Sequence, residues 1–194
     1  MADRKDQLRQ FCRLIRARTE ENRKAVEVLL NAELYGSAFG TLRQEIDSLI
    51  RISYIYNVSK SNSPARARVL IRNLVEGDRW TRTSKKGNQV NITDREMLNA
   101  HQRAIGWEKM IYEFGCQLIH LSRLHDYKTI DPVSMFTESQ KVEIIGYLKN
   151  YHDFNETTLT FNGLIQQIPN VMNKICDNTL SITDDFESRL LNQF

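Results

Sequence analysis

Proline and glycine are scarce in this sequence, with 3 and 8 among 194 residues. So little turn punctuation disfavours a many-stranded sheet and favours long helices. The three cysteines, Cys12, Cys116 and Cys176, are far apart and odd in number, which argues against both a CxxC metal motif and a disulfide framework. No apolar run approaches the roughly 18 residues that span a bilayer. The charged start Met1-Ala-Asp-Arg-Lys-Asp6 is not that of a secretory leader. A reduced, cytoplasmic protein with no membrane partner is the expectation. A glycine-rich phosphate loop is also missing, and no serine or cysteine has a nucleophile setting, so no cofactor is expected. What remains is ordinary soluble-protein material, 41% hydrophobic and 26% charged, and enough of it for one domain with a substantial core.

The formal net charge of +3 hides an asymmetry. Residues 1–60 carry 11 Lys/Arg against 8 Asp/Glu, residues 66–95 carry 8 against 3, and residues 131–194 carry 4 against 9. The basic excess peaks in Arg66, Arg68, Arg72, Arg79, Arg82, Lys85, Lys86 and Arg95. Such a segment either tracks a phosphate backbone or forms a solvated face with a charged loop. On the first alternative Arg79, Arg82, Lys85 and Lys86 are the nucleic-acid-binding candidates.

Hydrophobic spacing predicts a first helix over residues 5–34, with Leu8, Phe11, Cys12, Ile15, Val26, Leu29 and Leu30 on its apolar face. Tyr35-Gly-Ser-Ala-Phe-Gly40 reads as a break, followed by a second helix to about Tyr56. Ser63-Pro64 reads as a cap with proline at the first helical position, opening a short basic helix that ends near Gly77. Residues 78–91 form a polar loop or a small hairpin, with Lys85-Lys86-Gly87-Asn88 as its turn. Thr93-Asp-Arg-Glu96 and Thr137-Glu-Ser-Gln140 fit the capping box, predicting helices over about 94–126 and 138–151. Asn155–Thr160 is a loop, and Pro169 is read as the start of a last helix to about Leu191. The expected fold is an all-α antiparallel helical bundle, a single domain over 1–194. Its core spans about 5–127, and a C-terminal helical extension covers about 137–192.

Two constellations could carry chemistry. On the second helix Leu42, Ile46 and Leu49 form a core stripe, and Arg43, Asp47 and Arg51 form the stripe beside it. The i,i+4 pairs Arg43–Asp47 and Asp47–Arg51 are either surface ion pairs or partly buried groups that hold a partner helix or an anion. The second constellation is Phe114-Gly-Cys-Gln-Leu-Ile-His-Leu-Ser-Arg-Leu-His-Asp-Tyr127. His120 lies in an apolar run, where an ionisable ring is costly unless something hydrogen-bonds it. On a helix it shares a face with Glu113, Cys116 and Gln117. His125 lies about 140° away at 100° per residue, so the two histidines cannot chelate one metal, and no metal site is expected. Cys116, within the apolar run, reads as an inert core residue.

With these residues laid out, the chain resembles a group of uncharacterised bacterial proteins of the HEPN superfamily. The matching features are Leu42-Arg-Gln-Glu-Ile-Asp-Ser-Leu-Ile-Arg51, Ile92-Thr-Asp-Arg-Glu-Met97, Gly106-Trp107, the 114–127 stretch and Tyr151-His152, in order over about residues 35–152. HEPN domains are helical bundles, often dimeric. Many are metal-independent ribonucleases of toxin–antitoxin, CRISPR and phage-defence systems. The resemblance implies an Arg-x4–6-His active site, in which arginine stabilises the phosphate and histidine serves the attack of the RNA 2′-hydroxyl. It further implies RNA as the substrate, a homodimer, and an antitoxin or other protein partner. His120 takes the histidine position, whereas Gly115 and Cys116 stand where the family has Arg-Asn. An arginine must then come from elsewhere, with Arg43, Arg51 and Arg123 as candidates, and Asp47 and His125 beside them. The spacing Arg95 to His101 also fits, but composition alone produces such a match. The alternatives are a non-catalytic HEPN-like module that binds RNA, a nucleotide or a protein, and a purely structural dimerising bundle.

Overall fold

The computed structural model describes residues 4–61, 63–101, 111–113, 115–116 and 123–191. In chain order its elements are α1 (Arg4–Asn31), α2 (Tyr35–Lys60), α3 (Pro64–Glu76), β1 (Thr81–Thr83), β2 (Gln89–Asn91) and α4 (Asp94–His101). Two 3-10 turns follow, Arg123–Asp126 and Pro132–Met135, then α5 (Glu138–Tyr151) and α6 (Phe161–Leu191). Residues 111–113 and 115–116 are also helical. The fold is all-α, a mostly helical bundle, and no described helix is long and apolar enough to cross a membrane.

The α1 stripe is more polar than its hydrophobic residues suggest. Leu8, Phe11, Cys12, Ile15 and Val26 are buried, but between Ile15 and Val26 the three- and four-residue spacing is carried by Thr19 and Asn22, both also buried. Asn22 Nδ2 donates to Glu45 Oε2 at 2.9 Å, which satisfies an amide and a carboxylate that would otherwise be costly to enclose. Leu29 and Leu30 are only half-buried.

The break between the first two helices falls earlier than expected. The chain turns at residues 32–34, where Glu33 takes a left-handed φ of 58° and Leu34 N donates to Leu29 O at 2.8 Å. Tyr35–Gly40 opens α2 and is not a break, so Gly36 and Gly40 sit inside a helix. Ser63 occupies the N-cap position of α3 without a side-chain cap bond, and Pro64 alone supplies the start signal. At the other end Gly77 is left-handed (φ 82°), and Gly77 and Asp78 donate back to Leu74 and Asn73. The 78–91 segment is a hairpin with Thr81 opposite Asn91 and Gly87 at φ 83° in its turn.

Both capping residues act as expected. Thr93 Oγ1 accepts from the Glu96 amide, and Thr137 and Gln140 form the full reciprocal box at α5. The expected continuous helix from 94 ends its described part at His101, and Arg123–Asp126 is a 3-10 turn. Pro169 does not begin α6 but lies inside it. The helix starts at Phe161, where Thr160 Oγ1 accepts from Gly163 N at 3.0 Å. Pro169 is exposed while Ile168, Val171, Met172, Ile175 and Cys176 are buried. The hydrogen bond that proline removes is therefore on the solvent side, where water can replace it, and apolar burial carries the helix through.

The chain divides into two compact units. The first comprises Met1–Glu20, Asp47–Ile105 and Cys176–Phe194, and Phe11, Tyr56 and Phe186 meet in it edge to face. The second comprises Glu21–Ile46 and Gly106–Ile175, with Tyr35, Phe39, Tyr127 and Phe161 as its aromatic cluster. The last helix contributes to the core of each unit, with Ile168 and Ile175 buried in the second and Phe186 and Leu190 in the first.

Candidate functional site

The core stripe Leu42, Ile46 and Leu49 is buried as its spacing requires, and this fixes where the neighbouring polar stripe of α2 points. That stripe is divided. Arg43 belongs to the second unit, Asp47 and Arg51 to the first.

Arg43 is only 6% exposed. Its guanidinium carbon lies 3.7 Å from the centre of the Tyr112 ring, and its Nε donates to Cys116 Sγ at 3.4 Å. Burial favours the neutral form, but the contacts with Cys116 and Tyr112 outweigh it and hold the guanidinium above its ordinary value, so the charge is kept. Between those two neighbours stands Gly115. A β-carbon there would come within 2.6 Å of Arg43 Cβ and 3.2 Å of Arg43 Cγ. Glycine is therefore demanded by the close approach of α2. The space beside residue 115 is taken by Arg43, a side chain arriving from another helix. Tyr112 was not singled out in the sequence, though its four-residue spacing from Cys116 was a usable signal. His120 lies outside the described residues, as does the side chain of Arg123, whose backbone is in the 3-10 turn.

Asp47 and Arg51 form an ion-pair network. Arg51 Nε donates to both Asp47 oxygens at 2.9 Å, Arg51 Nη2 to Asp94 Oδ1 at 3.1 Å, and Arg18 Nη1 to Asp47 Oδ2 at 3.2 Å. The expected Asp47–Arg51 pair is thus present, partly buried, and shared with a third residue. Arg51 also lies over Trp80, 5.5 Å from the ring centre. Trp80 is buried, stacks on Tyr54 and donates its indole N–H to Leu70 O at 2.8 Å. Arg18, Asp47, Arg51 and Trp80, together with Arg79, line an open cleft of about 550 Å3. Arg18, Trp80 and Asp94 escaped the sequence reading. A bulky aromatic just after the Gly77 helix stop is the signal that would have found Trp80.

The remaining candidates are spread apart along the chain. Arg79 is exposed on the cleft wall, whereas Arg82 is engaged by Glu96 on a neighbouring element. Lys85 and Lys86 are exposed at the hairpin turn. Arg95 is exposed in the first turn of α4, and His101 is that helix's last residue. His125 is exposed and borders a polar hollow with Gly36, Ser37, Gly40, Thr41 and Tyr127. In the second unit Tyr147 Oη meets His152 Nε2 at 2.6 Å, both residues buried. No family model, no curated protein and no solved structure matches this chain.

Proposed function

We propose that the protein is a HEPN-like, RNA-directed module of bacterial defence or toxin type, with Arg43 from α2 standing in for the motif arginine replaced by Gly115. The observation that carries this reading is the contact at residue 115. Arg43 fills the space that any side chain there would occupy, and its guanidinium rests between Tyr112 and Cys116 on the same helical segment. In this reading Arg43 stabilises charge on a phosphoryl oxygen, and His120 takes the proton from the RNA 2′-hydroxyl, without a metal. A homodimer and a neutralising protein partner go with it. RNA cleavage in a chelator tests the reading. His120→Ala and Arg43→Lys are each expected to lose about 10²–10⁴-fold in rate, the lysine because it lacks the planar fork. Absence of cleavage by the unsubstituted protein, or its persistence in both variants, counts against catalysis.

The burial of Arg43 favours a second reading. A guanidinium with an aromatic ring on one face and a thiol on Nε is satisfied without a substrate. The protein is then a non-catalytic module that binds RNA, a nucleotide or a partner. Here His120→Ala has no cleavage to remove and lowers stability by about 1–3 kcal/mol. RNA affinity survives that change and falls when Lys85 and Lys86 are neutralised.

A further inference from the structure

We propose that the open cleft of the first unit binds a phosphorylated ligand, with Arg18, Arg51 and Arg79 on the phosphate and Leu14 against its organic part. The cleft volume, about 550 Å3, suits a group the size of a nucleotide. Three guanidiniums reach its wall from three elements: Arg18 from α1, Arg51 from α2 and Arg79 from the connection between α3 and β1. Two carboxylates, Asp47 and Asp78, line the same wall.

The arginines are held in place but not used up. A guanidinium has five N–H donors. Arg18 spends Nη1 on Asp47, and Arg51 spends Nε and Nη2 on Asp47 and Asp94. Among the described residues nothing accepts from Nη1 of Arg51, from Nε or Nη2 of Arg18, or from any donor of Arg79. One carboxylate shared by two arginines orients both; with Asp94 on Arg51 two carboxylates balance these two charges, and Arg79 brings a third guanidinium to the wall. Donors brought to one cleft wall by three different elements suit a tetrahedral phosphate, which offers several oxygens. A planar carboxylate serves a single fork. Leu14, 42% exposed at the rim, gives apolar surface for a base or sugar.

The phosphate could come from a free nucleotide or from a strand of RNA, and the RNA source rests on the function proposed above. The hairpin favours the strand. It leaves the cleft wall at Trp80, returns at Asn91, and carries exposed Lys85 and Lys86 at its turn, so positive charge continues beyond the volume of one nucleotide.

The test uses the full chain and two probes, a fluorescent single-stranded oligoribonucleotide and adenosine 5′-monophosphate, at about 50 and about 200 mM salt. Arg18→Ala/Arg79→Ala is expected to weaken both probes, and to lower the salt exponent for the oligonucleotide by about 1.4, the value for two phosphate contacts on a single strand. Lys85→Ala/Lys86→Ala is expected to weaken the oligonucleotide alone. Arg79→Ala, which removes no hydrogen bond or ion pair to a described residue, repeats the test should the double variant fail to fold. If the nucleotide binds through Arg18 and Arg79 while RNA does not bind, the cleft stands and the RNA reading falls. If the double variant binds and cleaves RNA as before, the cleft proposal is overturned and the RNA reading survives. Failure of both probes to bind the unsubstituted protein overturns the proposal.

Discussion

Arg43 and Arg51 belong to one polar stripe of one helix, two turns apart, yet they have acquired opposite surroundings. Arg43 is enclosed by an aromatic ring, a thiol and the bare backbone of Gly115. Arg51 keeps 28% of its side chain exposed, is paired with Asp47 and Asp94, and looks onto an open cleft. Helical spacing tells which residues share a face but not what that face meets. A guanidinium packed on a ring and a thiol is held by shape, whereas one shared among carboxylates is held by charge, so the two should respond to different perturbations.

The largest expected effect comes from disturbing shape. Gly115→Ala places a methyl group against Arg43 Cβ and should destabilise the protein by about 1–3 kcal/mol, as overpacking does. Urea unfolding is the measurement. In an Arg43→Gly background the opposing β-carbon is gone, and most of that cost should disappear as a coupling energy in the double-mutant cycle. Additive costs would mean that the close approach of α2 does not constrain residue 115.

Charge gives the next effect. Asp47→Asn removes the carboxylate shared by Arg18 and Arg51, whose side chains are 42% and 28% exposed, so screening limits the loss to about 1–2 kcal/mol. The same change should tighten adenosine 5′-monophosphate binding, because it removes a negative charge from the cleft wall and frees Nη1 of Arg18 and Nε of Arg51, while Asp94 still holds Nη2 of Arg51. A variant that is less stable and also binds the nucleotide more weakly would show that Asp47 acts only by positioning.

Much of the frame was legible because its signals are local. Thr93, Gly77 and the Thr137–Gln140 box each act through bonds to neighbours in sequence, and Leu42, Ile46 and Leu49 are buried as their period demands. Pro169 misled because packing along α6 outweighed one lost hydrogen bond, and Gly36 misled because nothing in a glycine says whether a helix will run through it. The site was legible in part. Asp47–Arg51 follows from spacing, but Arg18 and Asp94 join it across long sequence separations. Gly115 read as an absence in one motif, while the group that fills its place sits on another helix.

Proton uptake separates the enclosed region from the open one. Burial, and then the positive charge of Lys174, push His152 below its ordinary value of 6.5, with Asp153 pulling it back up less strongly. The unfolded chain then binds this proton at higher pH than the folded chain does. The stability that comes from keeping the ring neutral is complete above about pH 6.5 and is lost as pH falls below that value toward the folded one. Urea midpoints at about pH 7.5 and about pH 5.5 should differ less in His152→Gln than in the unsubstituted protein. An unchanged difference would place the pH dependence elsewhere.

The smallest expected effect is Arg18→Ala. This residue gives one hydrogen bond to Asp47 from a side chain that is 42% exposed. Ion pairs in such settings contribute about 0–1 kcal/mol and are screened by salt. Asp47 keeps both bonds from Arg51, so no carboxylate is left alone. The cost should therefore stay below about 1 kcal/mol at low salt and shrink further as salt is raised. The Gly115→Ala cost, being steric, should not move with salt. A salt-insensitive loss at Arg18 would mean that its aliphatic stem is held by packing, as Arg43 is, and the contrast between the two regions would be weaker than their exposures imply.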